Sequence, residues 1–159
     1  MKYFYILFFS LTVLPANAQS KIAELFKEMP DEIMPTLTKN NRLDMIDFLE
    51  AKMKARVTNA LDGQSEMTCL TNDSLSIRLD NALLTELFLV EAKEEYDSCR
   101  QVICMKSSYY LTTTGEREIQ VAFYSLRWQP LDNPKIMRDI QPSSTILRQD
   151  ERIATFKNS

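Results

Sequence analysis

The chain has 159 residues, with 19 Lys plus Arg against 22 Asp plus Glu, a formal charge of −3, two glycines and no histidine. A negative balance with no basic run excludes a phosphate-backbone partner, so nucleic acid is not expected. Without histidine, Ser-His-Asp and Cys-His catalysis and the common histidine-containing zinc sites are excluded, and two well-separated glycines, Gly63 and Gly115, cannot build a glycine-rich phosphate loop.

The first segment reads as a secretory leader. Lys2 gives a positive start, Tyr3 to Leu14 is an almost unbroken apolar run, and Pro15-Ala16-Asn17-Ala18 supplies the small residues a signal peptidase recognises. The run is shorter than the roughly 20 residues a membrane-crossing helix needs, and no cysteine follows it to carry a lipid. Cleavage is expected between Ala18 and Gln19. Residues 1–18 are then the signal peptide and residues 19–159 one domain, exported to the periplasm or cell envelope without a stable membrane anchor. With 45% apolar and 26% charged residues the remainder has the composition of a folded globular domain.

Two helices are predicted next. Ile22, Leu25, Phe26 and Met29 recur at spacings of three and four, which gives a helix from Lys21 to Met29 that Pro30 stops. Asp31-Glu32 then reads as negative charge at a helix start. The second helix is predicted from Arg42 to Leu61, with Asn41 as N-cap, an apolar stripe of Leu43, Ile46, Leu49, Met53 and Val57, and Gly63 just beyond its end.

From Ser65 the period changes to two. Leu75, Ile77 and Leu79 alternate with Ser76 and Arg78 as a half-buried strand, and Leu83 to Ala92, a denser apolar run with β-favouring Phe88 and Val90, reads as a central strand, with a composition that also fits a buried helix. Gln101 to Leu111 and Glu116 to Trp128 follow, joined by Thr112-Thr113-Thr114-Gly115 as a hairpin connection. After Trp128, Pro130, Pro134 and Pro142 break the pattern. Ile136 to Ile140 gives one helical turn, and Ile146 to Phe156 a last edge strand. The predicted fold is α+β, with N-terminal helices packed on an antiparallel β-meander of about five strands and an irregular part from about residue 130. Scattered Met29, Met34, Met45, Met53, Met67 and Met105 read as core filler.

The segment MPDEIMPTLTKNNRLDMIDFLEAKMKA, the stretch DGQSEMTCLTNDSLSIRL and the later RWQPL resemble a family of secreted Bacteroidales proteins defined by a domain of unknown function. The resemblance runs from Met29 to Leu131, and NNRLDMIDF is its most specific block. It implies a signal peptide, an envelope or extracellular location and a mixed helix-and-strand domain, and it implies no reaction. Members run longer at the C-terminus, which implies a sheet edge lacking a closing strand pair here.

Asp44, Asp47 and Glu50 share one helix face. They read first as a solvated face and second as paired carboxylates of a hydrolase. Asn72-Asp73-Ser74 is a turn by composition. Asp73-Ser74-Leu75 also resembles the acceptor used for O-linked glycosylation of exported proteins in the same bacterial group, which marks Ser74. Alternation sets Tyr124, Leu126 and Trp128 on one face and Ile119, Val121 and Phe123 on the other. The first set of explanations has the helices covering them; an exposed set would form a sugar-stacking or protein-binding surface. Three cysteines, Cys69, Cys99 and Cys104, permit at most one internal bridge, and Cys99 and Cys104 in extended chain lie about 16 Å apart, beyond bridging distance; buried, inert thiols are expected. No catalytic, cofactor or metal constellation is found. The preferred reading is a non-enzymatic binding or interaction module with a protein or glycan partner, and the alternative is an envelope hydrolase using Asp44 and Asp47.

Overall fold

The computed structural model describes residues 20–111, 116–137 and 145–147. The leader with its Ala18–Gln19 junction, the Thr112–Gly115 link, and residues 138–144 and 148–159 lie outside the described residues. So, therefore, do parts of the helical turn expected at Ile136–Ile140 and of the edge strand expected at Ile146–Phe156.

Helix α1 (Lys21–Lys27) starts at Ser20, whose Oγ accepts from the Ala23 amide, and it buries Ile22, Ala23 and Phe26. Its first turn is tied to a distant loop: the Ile22 amide donates to Asn72 O at 3.1 Å, and Ser20 Oγ donates to Thr71 O.

Helix α2 (Lys39–Glu50) departs from expectation at both ends. Thr38 is the N-cap, not Asn41. Thr38 Oγ1 accepts from the Asn41 amide and Asn41 Oδ1 accepts from the Thr38 amide, each at 3.2 Å, so Asn41 is the third residue of a capping box. The helix then stops at Glu50 rather than Leu61. Lys52 takes φ 58°, its amide donates to Leu49 O at 2.9 Å, and the Met53 amide donates back to Phe48 O at 2.7 Å. That pair of bonds is a Schellman ending, with lysine where glycine is usual. Met53, expected in the apolar stripe, is 55% exposed, and Leu61 is 77% exposed. The face α2 does bury carries Arg42, Met45 and Ile46.

The chain past that stop is strand, not helix. β1 (Ala55–Thr58), β2 (Gln64–Leu70), β3 (Ser74–Arg78), β4 (Leu83–Tyr96), β5 (Cys99–Leu111), β6 (Glu116–Tyr124) and β7 (Pro130–Leu131) form a sequential antiparallel meander, and β8 (Thr145–Leu147) also pairs with β6. Among the described residues the sheet thus has eight strands, not about five. The additions are β1, carved from the expected helix, β2 and the short β7. The β4–β5 turn, Asp97-Ser98, has φ 52° and 63° and joins the Tyr96↔Cys99 pair, the two-residue type I′ geometry that matches strand twist.

Buried Asn59 shapes the β1–β2 connection. Its Oδ1 accepts from the Leu61 and Gly63 amides at 3.0 Å, and its Nδ2 donates to Ser65 Oγ at 2.9 Å and Leu79 O at 3.3 Å. A Cβ added at Gly63 would lie 3.2 Å from that Nδ2.

One face of the sheet carries the main core. α2 packs on β1 and β2 and α1 on β3 and β4, enclosing Met67, Leu75, Ile77 and Leu87. Arg42 sits within this layer, 0% exposed. Its Nε donates to Phe26 O at 3.1 Å, Nη2 to Met29 O at 2.5 Å, and Nη1 to Leu37 O and Asp31 Oδ1 at 2.8 Å. A buried guanidinium is tolerated because carbonyls from the end of α1 and the loop after it take its protons. Asp31, expected at a helix start, instead serves this arginine.

β6 ends at Tyr124, four residues before the expected Trp128. The chain reverses at Ser125–Trp128, where Trp128 takes φ 62° and its amide donates to Ser125 O at 3.0 Å. Trp128 still reaches the helix side: Nε1 donates to Leu25 O at 2.9 Å, and its ring lies 5.6 Å from that of Tyr124.

Candidate functional site

Among the described residues the other face has no helix on it. Over β1–β3 it is polar, with Arg56, Glu66 and Arg78 in one cross-strand row. The hydrogen bond from Arg56 Nη2, 2.9 Å long, holds the Glu66 carboxyl below the usual carboxylate range. Over β4–β6 the same face turns apolar. Registers Phe88↔Cys104↔Phe123 and Val90↔Val102 place these side chains together, and Ile119 and Val121 extend the surface along β6.

After β7 the chain returns across this apolar region. Pro134 is buried, Ile136 forms a bridge with Ala92, the Lys93 amide donates to Lys135 O at 2.6 Å, and the Met137 amide donates to Glu91 O at 2.8 Å. Ile136 is therefore in an extended pairing, not a helical turn. With Leu131 and Tyr96 it covers a small second core of Val90, Ala92, Val102, Cys104 and Phe123.

Beside this crossing segment lies a cleft of about 900 Å³. Phe88, Val90, Cys104, Ile119 and Val121 give it an apolar lining, and Asp73, Ser74 and Met137 stand along its rim. Among the described residues that line it the one cation is Lys106, and its Nζ is 3.0 Å from Glu86 Oε2 across the strand pair. Both partners are partly buried, so the pair adds a neutral polar spot to an apolar surface rather than a net charge.

The thiol in the lining is shielded from solvent. Cys104 is 1% exposed, and burial, the largest influence, pushes it up from 9.0 to about 11, with Lys106 pulling it down and Glu86 pushing it up. A neutral thiol there is inert packing. All three cysteines are free: Cys69 exposed, Cys99 half-buried and Cys104 buried.

The residues marked from sequence scatter relative to the cleft. Asp44, Asp47 and Glu50 are exposed on α2 and do not line it. Among the described residues no group of three His, Cys, Asp or Glu could hold a metal ion. Ser74 is half-buried as the first residue of β3, on the cleft rim, with its Oγ 2.7 Å from Thr71 Oγ1. Ile119, Val121 and Phe123 do share the face away from the helices, and they belong to the cleft or the small core beside it. Phe88 and the Lys106–Glu86 pair carried no sequence signal of a site, since a strand called central says nothing about which of its faces is open.

A family model described as a protein of unknown function, DUF3256, matches residues 14–158. The chain belongs to the DUF3256 family. No curated protein and no solved structure matches it. The DUF3256 match takes in both helices and every strand, so the cleft is part of the family domain.

Proposed function

We propose that this DUF3256 protein is an exported, non-enzymatic binding module of the bacterial envelope, and that the cleft beside the crossing segment receives a protein partner presenting apolar side chains. The observation that carries this reading is a cleft of about 900 Å³ whose lining joins Phe88, Val90, Ile119 and Val121 to Lys106, paired with Glu86, and to the carboxylates of Asp73 and Glu91. Ligand-binding clefts commonly have this size range and this mixture of apolar walls with few polar groups. The paired-carboxylate alternative draws no support from Asp44 and Asp47, which are exposed on α2 and do not line this cleft. Export rests on the positive start, apolar run and Ala16–Ala18 site of the N-terminus.

Ile119→Asp tests the cleft, because it puts a charge on the lining away from the main core. An apolar naphthalene-type dye should fluoresce with the wild-type domain and lose most of that signal with the variant, while thermal melting stays close to wild type. Equal dye signal in both would remove the cleft as a binding surface, and saccharide displacement of the dye would replace the protein partner with a glycan. For export, mass spectrometry of the mature product should give a chain starting at Gln19; a product retaining Lys2 would contradict it. The same spectra read the peptide carrying Ser74, where we propose that a glycan attaches on the cleft rim.

A further inference from the structure

The helix-side face of β4–β6 contains a polar row where an apolar one is expected. Registers Thr85↔Ser107↔Gln120 align three hydrogen-bonding side chains across three adjacent strands. The neighbouring row on the same face is Leu75, Leu87, Met105 and Ala122. Thr85 is 2% and Ser107 9% exposed, so two hydroxyls have been taken from water inside a layer that leucine or valine would fill more favourably. They lie 3.4 Å apart, a long contact in which only one can donate to the other, so one hydroxyl proton and further lone pairs are not used between them.

The row opens on a cavity of about 310 Å³ beneath the loop between α1 and α2. Met34 and Thr36 come from that loop, and Tyr109 stands on the same face of β5 two residues beyond Ser107. No charged side chain is among the described residues that line it. Gln120 lies exposed at the mouth; its Nε2 donates to Glu118 Oε1 at 3.1 Å, which leaves its carbonyl oxygen toward other donors.

We propose that this cavity binds one neutral sugar residue, held by Thr85, Ser107 and Gln120, with Tyr109 against an apolar face of the ring. The chemistry selects the class. Hydroxyls and an amide both donate and accept, as sugar hydroxyls do. A carboxylate or phosphate would enter a partly buried space with no cation to meet it. An aromatic side chain beside polar groups suits a ligand with one apolar and one polar face. This site opens on the helix side of β4–β6 and the cleft proposed above on the other, with Val121 of β6 bordering both, and either can fail without the other.

The test is saturation-transfer NMR on the mature chain with the methyl glycosides of glucose, galactose and N-acetylglucosamine, and with glucuronate as the charged arm. At least one neutral glycoside should show transfer, and glucuronate none. The double variant Thr85→Val with Ser107→Ala, which keeps the packing close to native, should bind about tenfold more weakly, the loss expected for one or two hydrogen bonds. If that variant does not fold, Gln120→Ala at the exposed mouth should weaken binding in the same direction. Ile119→Asp should leave it unchanged. No transfer from any neutral glycoside, transfer from glucuronate alone, or wild-type binding by both variants would overturn the proposal.

Discussion

The two faces of β4 show how differently one strand can be used. Thr85, Leu87 and Leu89 face the helices, while Glu86, Phe88 and Val90 face away, and the two sets are similar in apolar content. Leu87 is sealed by α1 and the core around it. Phe88, one residue on, stays half-buried beside an open cleft. Equal hydrophobicity therefore gives structure on one side and a surface for binding on the other. What separates them is the side on which α1 and α2 pack: both lie over the face of β1–β4 that carries Leu87.

The covered side should break first. Arg42→Ala removes the donors for Met29 O and Leu37 O, each buried carbonyl left unpaired costing about 1–3 kcal/mol, and one of the donors to Phe26 O, which keeps the Met29 amide at 3.3 Å. That sum is comparable with the about 5–15 kcal/mol that holds a domain folded. We expect most soluble protein to be lost, or a large drop in the urea midpoint. Asp31→Asn should change little, because that carboxylate is 59% exposed. A near-native midpoint for Arg42→Ala would show that the helices hold their place without the clamp.

A closer comparison uses neighbours on β4. Leu87→Ala creates a cavity in a filled core and should cost about 2–5 kcal/mol. Phe88→Ala removes a larger side chain yet should cost less, since its ring already borders open space. Urea denaturation of the two variants measures the difference directly. The reverse order would mean that the face away from the helices is packed as tightly as the face beneath them.

The smallest effect concerns Cys104. Its folded-state value is raised from 9.0 to about 11, so the thiol contributes stability that is present below about 9 and is lost as pH rises toward 11, where the unfolded chain releases the proton more readily. Native labelling by a thiol reagent at neutral pH should be slow at Cys104 and fast at exposed Cys69. A cleft ligand should slow Cys104 further. Equal rates at the two thiols would show that the cleft floor opens to solvent more than its burial implies.

Much of the strand architecture was readable from residue alternation. β3 falls where the period of two places it, because one-sided burial imposes that period directly, and most of β4, β5 and β6 fall on the runs rich in β-branched and aromatic residues. Residues 51–61 read as helix for a specific reason. Helix ends are recognised by glycine or proline, and Lys52 adopts the left-handed conformation without being either. Arg42 escaped for a related reason: a charged residue on a helix is read as solvent-facing, and the carbonyls that make its burial tolerable come from residues up to sixteen positions away. Thr85 was hidden inside an apolar run, and its partners Ser107 and Gln120 lie on other strands.

The sequence by itself determined the leader pattern, the absence of histidine chemistry and the alternation that makes an antiparallel meander, because each depends on local composition or local period. Only the tertiary structure decided which apolar face is core and which is cleft. Period-two alternation gives β4–β6 two usable faces, and burial depends on what lies opposite: α1 and α2 on one side, and on the other a crossing segment that covers Val90, Ala92 and Phe123 and leaves Phe88, Ile119 and Val121 beside open space.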